Sequence, residues 1–153
     1  MIKAGLEAKE IAEKMKERKG RVHSSFILDT LKFMSAGGRC SNVLALGANL
    51  LNIKPCIEVN NQDGSMDVGK KYRGSLKKVL PLYVKEKLRE YGEIRRDKII
   101  ITHSGITQDY IELVRKTIQE EMEFQNIYVT QASCTISCHC GLNTLGILFE
   151  TKE

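Results

Sequence analysis

The sequence predicts a two-layer α/β domain, with a mixed sheet of about six strands covered by helices mainly on one face. Three observations carry that expectation. The run Asn60 to Gly64 (NNQDG) is a turn of the kind that joins antiparallel strands. Farther along, strands and helices alternate as in βαβ units, beginning at the buried run Lys98 to Thr102 (KIIIT). The chain has 153 residues, enough for one domain with a real core and too few for two ordinary ones.

The elements follow in order. Gly5 to Arg18 reads as an amphipathic helix, with Leu6, Ile11 and Met15 on its apolar face and Glu and Lys interleaved. Arg21 to Leu28 carries strand formers at Val22, Phe26 and Ile27. Asp29 and Thr30 cap a short helix through Met34, which Gly37-Gly38 ends. Ser41 caps a very apolar, buried helix, Val43 to Leu51. Ile53 to Val59 is a strand carrying Pro55, and Ser65 to Tyr72 is its return strand. Gly74 to Tyr91 is a long amphipathic helix in which Pro81 implies a kink or a late start. Thr107 opens a helix over Gln108 to Glu123, and Ile127 to Thr130 is a further strand. After a turn at Gln131 to Ser133, Cys134 to His139 is expected to run extended. Thr144 to Glu150 is the last strand, with Leu145, Ile147 and Phe149 alternating.

Composition narrows the class. Hydrophobic residues make up 42% and charged residues 28%, a globular balance and not a disordered one. The apolar run Val43 to Leu51 is far short of a membrane span. Met1 to Gly20 is charged throughout and has no secretory h-region, so the expected location is the cytoplasm. Five cysteines cannot all pair internally, which favours reduced thiols. A net charge of +5 fits an acidic ligand or partner and is weak support for nucleic acid.

Three constellations are candidates for chemistry. Gly37-Gly38-Arg39 lets the backbone turn sharply and aim one cation beside the helix that Ser41 opens. The plainer reading is a glycine helix stop followed by a surface arginine. Arg73-Gly74-Ser75 places an arginine where a strand meets a helix, suited to a carboxylate or phosphate. Against that stands a solvated charge beside Lys70, Lys71, Lys77 and Lys78, a cluster that also suits an acidic partner. The third is Cys134, Cys138, His139 and Cys140. Zinc sites want two well-separated ligand pairs, and in an extended run Cys138 and Cys140 face away from His139. No nucleophile elbow and no glycine-rich phosphate loop is present. A metal or thiol enzyme built on the cysteine cluster is therefore the least supported class.

Together these residues resemble the DegV family of bacterial fatty-acid-binding proteins. Phe26 to Arg39 (FILDTLKFMSAGGR) is similar to its "F-x-x-D-T-L … GGR" segment, and Gly47 to Pro55 (GANLLNIKP) to its "G-x-L-L-N-I-K-P" stretch. Arg73-Gly74 matches its "RG" element, and His139-x-Gly141 followed by Gly146 matches the place of its "H-x-G-P-G … G" turn. Leu142 and Asn143 stand where that turn usually has Pro-Gly; Asn tolerates left-handed backbone angles.

The resemblance implies the second half of a two-domain architecture, with 1–153 as one C-terminal-type domain and the N-terminal domain absent. It implies that Arg39 and His139 join the network around a fatty-acid carboxylate. It places Arg73 at the mouth, where a fatty-acid kinase docks, and makes Val43, Leu44, Leu46, Leu50, Leu51 and Ile53 candidates for the tunnel lining. The protein would present the acid and not catalyse, and no cofactor is implied. The expected partners are a long-chain fatty acid, the kinase, and either an N-terminal DegV-type domain or a second copy. A protein-interaction or regulatory domain that does not bind lipid by itself is the alternative from another class.

Overall fold

The computed structural model describes residues 1–37 and 52–152. Strands β1 (Val22–Ile27), β2 (Ile53–Val59), β3 (Met66–Arg73), β4 (Ile99–Ser104), β5 (Ile127–Gln131) and β6 (Thr144–Glu150) form one sheet. Their order is β3-β2-β1-β6-β4-β5. The turn after Val59 returns the chain as an antiparallel hairpin, β2 against β3. β1 and β4 flank β6 antiparallel, while β4 and β5 run parallel around a helical crossover. The sheet is mixed, as the sequence pattern predicts.

The described chain also has a 3-10 turn (Ile2–Ala4) and five α-helices: α1 (Ala8–Lys19), α2 (Lys32–Ala36), α3 (Leu76–Glu90), α4 (Gln108–Glu121) and α5 (Cys134–Cys140). The apolar stripes of α3 and α4 lie on one sheet face. Val79, Leu80, Tyr83, Val84 and Leu88 of α3, with Ile111, Val114 and Ile118 of α4, pack on Ile27, Ile99, Ile101, Leu145 and Ile147. Two buried polar side chains on this face, Tyr83 and Lys87, find partners. The Tyr83 hydroxyl donates to the Ser25 carbonyl at 2.7 Å and meets Ser25 Oγ at 2.9 Å. Lys87 is buried between Glu58 at 2.8 Å and Glu90 at 2.6 Å. Burial alone would push its ammonium down, but those hydrogen bonds hold it above its ordinary value.

The other face carries a smaller cluster, Leu28, Met34, Ile57 and Cys140. The short helices α2 and α5 pack against each other there. The two longest helices, α3 and α4, thus cover one face, while α1 and the short α2 and α5 lie over part of the other.

Several elements differ from expectation. Cys134 to His139 is helical, because Ser133 caps the segment: its Oγ accepts from the Ile136 N–H at 3.4 Å. α3 starts at Leu76 and runs through Pro81. α4 stops at Glu121, where Met122 turns extended with φ −161°. α1 buries no residue completely; Met15, expected on its apolar face, is 51% exposed. The apolar helix expected at 43–51 lies outside the described residues.

Candidate ligand-binding site

The ends of α2 and α5 meet on the second sheet face. Gly37 stops α2, and a Cβ built there would overlap Nδ1 of the His139 ring. Gly141 stops α5 with φ 79°, and a Cβ there would overlap the Phe33 ring. Each helix end therefore needs a glycine to admit a ring from the other. The contact fixes half-buried His139 against the residue two places before Arg39.

The following turn is held from three sides. Asn143 adopts φ 59°, the left-handed conformation that asparagine tolerates. Its Nδ2 donates to Asp29 at 3.2 Å, and Lys54 pairs with Asp29 at 2.5 Å. Thr144 Oγ1 donates to the Cys140 carbonyl at 3.0 Å. These bonds tie α5 to the loop after β1 and to β2.

Beneath α5 lies a hollow of about 60 Å³, lined by Phe26, Thr102, Ile136, Cys140, Thr144 and Gly146. Gly146 sits inside β6, where an added Cβ would come within 2.5 Å of the Ser25 carbonyl and 2.8 Å of Phe26 Cβ. The register pairs Gly146 with both Phe26 and Thr102, so all three share this face. Farther along the same strands, a groove of about 790 Å³ opens between α1 and the sheet at Val22, Ile100 and Leu148. Lys16, Arg18, Lys19 and Lys98 also border it. Arg18 anchors α1 by a two-nitrogen contact with the Glu150 carboxylate, which holds that carboxyl below its usual range.

The residues singled out by sequence are distributed unevenly. His139 lies on α5 beside Gly37. Ile53 is half-buried at the start of β2, and its register partner is exposed Arg73 at the end of β3. Arg73 is followed by Gly74 with φ 126°, whose N–H donates to the Asn52 carbonyl at 2.9 Å. Arg39, Val43, Leu44, Leu46, Leu50 and Leu51 lie outside the described residues. Sequence reasoning missed Gly146 as the residue that opens the hollow, although a glycine inside an apolar strand signals close approach. It also missed His103, whose buried Nδ1 makes no hydrogen bond among the described residues.

Among the described residues, no group of three or more His, Cys, Asp or Glu side chains is placed to hold a metal ion. No described helix is long and apolar enough to cross a membrane.

The family model described as "Uncharacterised protein, DegV family" matches residues 1–152. A DegV domain-containing protein of Clostridium perfringens (strain 13 / Type A) is 30% identical over 155 residues, covering 100% of this chain and 52% of the relative. A DegV lipid-binding protein from Thermotoga maritima superposes with a TM-score of 0.80 at 25% identity, over 100% of this chain and 52% of that one. The Streptococcus pneumoniae Fatty Acid Kinase (Fak) B3 protein loaded with linoleic acid shares the fold with a TM-score of 0.80 at 19% identity, over 99% of this chain and 52% of its own. The chain spans about half the length of the curated relatives it matches.

Proposed function

The chain belongs to the DegV family, and on that premise we propose that it forms one wall of a long-chain fatty-acid site, presents the acid to a separate kinase and performs no catalytic step itself. The observation that carries this reading is the seat of His139 on Gly37, at the head of an apolar sheet face that Gly146 opens. A carboxylate needs a few donors and its alkyl chain needs a dry, apolar wall. His139 and Arg39 would supply the donors, with Gly37 fixing the ring orientation. Val43, Leu46, Leu50 and Ile53 would line the alkyl path, and Arg73 would meet the kinase.

The second wall would be an N-terminal DegV-type domain or, failing that, a second copy of the chain. Residues 1–153 then act as a single domain in the cytoplasm. The lipid-binding description of the Thermotoga maritima protein and the kinase named with the Streptococcus pneumoniae protein support this reading by family membership.

One observation favours the alternative, an interaction or regulatory domain that does not bind lipid by itself. The hollow beneath α5, among the described residues, is about 60 Å³, far below the few hundred Å³ of ordinary ligand pockets. Native mass spectrometry separates the two. The chain is measured with oleic acid, alone and with an N-terminal DegV-type domain. An oleate mass increment on the paired species, or on a dimer, supports the lipid reading. Bare protein under both conditions supports the alternative.

A further inference from the structure

The four described cysteines are free thiols that divide by burial. Cys56 is buried, and burial pushes its thiol up to about 12, so it is protonated and inert at neutral pH. Cys140 is buried with Sγ 3.8 Å from the Gly141 carbonyl. Cys134 and Cys138 are exposed.

The helical form of α5 changes which cysteines belong together. An extended run would pair Cys138 with Cys140. On a helix, residues four apart share a face, so the pair is Cys134 with Cys138. Their Cβ atoms are then about 5–6 Å apart. A disulfide wants about 3.5–4.5 Å between Cβ atoms, so an intact α5 keeps the pair as a dithiol. Among the described residues, no donors for a four-coordinate ion stand beside the pair. The His139 ring is packed on Gly37, Cys140 is buried, and no larger donor group is assembled among the described residues.

Two thiolates with no third donor among the described residues suit a soft, two-coordinate ion, and thiolate ligands select monovalent copper over harder cations. On the scale of a zinc–thiolate bond, about 2.3 Å, a near-linear bridge through a metal of similar size spans up to about 4.6 Å between sulfurs, within reach of one helical turn. We infer that Cys134 and Cys138 form a surface site for a soft monovalent ion of the Cu(I) class. Each thiol gives up a proton as its sulfur binds, and no electron is transferred. The bridged ion staples one turn of α5, leaving His139 on Gly37.

The test is an anaerobic titration of the reduced chain with Cu(I) buffered by bicinchoninate. One ion per chain is expected. Cys134→Ser and Cys138→Ser should each weaken binding at least tenfold, while Cys40→Ser and Cys56→Ser leave it unchanged. Because both thiols are exposed, the serine variants should keep the parent melting temperature, which is measured alongside. Parent affinity in either α5 variant, loss of binding in Cys40→Ser, or no transfer of copper from the chelator would overturn the assignment.

Discussion

The two faces of the sheet are built to different rules. On the α3 and α4 side, aliphatic side chains are fully buried and the Tyr83 hydroxyl finds its partners. On the other side, a glycine replaces a core side chain in β6, short helices meet through glycine-to-ring contacts, and an apolar groove lies beneath α1. Buried apolar area stabilises a fold, whereas an open apolar face awaits an occupant. The first face holds the domain together, and the second is where the proposed ligand and second wall belong.

Substitutions that break this contrast follow from the largest effect to the smallest. Leu80→Ala on the sealed face should cost about 2–5 kcal/mol in urea unfolding. Ile136→Ala on α5, where the side chain is 56% exposed, should stay within about 0.5 kcal/mol. Equal costs would erase the distinction between the faces. Gly146→Val should cost about 1–3 kcal/mol by overpacking against Phe26 and the Ser25 carbonyl, and should fill the hollow.

Acid should loosen the anchor of α1. The Glu150 carboxyl is held below its ordinary value of 4.5 by its hydrogen bonds with Arg18, despite opposing burial. Its stabilising contribution is present above that ordinary value and is lost as pH falls through the lower, folded one. Arg18→Ala should therefore cost up to about 1 kcal/mol at pH 7 and flatten the acid limb of the stability curve. An unchanged acid limb would show that the anchor carries no linkage.

An effect near zero or of opposite sign is expected at His103, whose buried Nδ1 lacks a partner among the described residues. His103→Leu should be neutral, or stabilise by about 1 kcal/mol, because it removes an unsatisfied polar atom. A large loss would reveal a hidden partner.

Alternation and turn chemistry made most of the sheet legible in advance. Ile53–Val59 and Thr144–Glu150 have the expected bounds, because NNQDG delimits one and alternation of Leu145, Ile147 and Phe149 marks the other. At α5 the β-branched Thr135 and Ile136 favour a strand in the sequence, while the Ser133 cap and Gly141 stop decide for helix. The motif pattern singles out His139 as a candidate, but its contact with Gly37 joins residues about a hundred positions apart. Local periodicity does not encode such a contact. Gly37 itself looked like an ordinary helix stop, and its second role emerges only when α2 and α5 pack.

The most direct test measures oleate affinity for the chain paired with an N-terminal DegV-type domain, comparing the parent with His139→Ala, Arg39→Ala and Gly37→Ala. Gly37→Ala removes no proposed donor side chain but forces the His139 ring from its seat. The account predicts at least tenfold weaker binding, about 1.4 kcal/mol, in His139→Ala and Gly37→Ala alike, with unchanged melting temperatures. Arg39→Ala should weaken binding to a similar degree. Parent affinity in all three variants would contradict a carboxylate site at the meeting of α2 and α5.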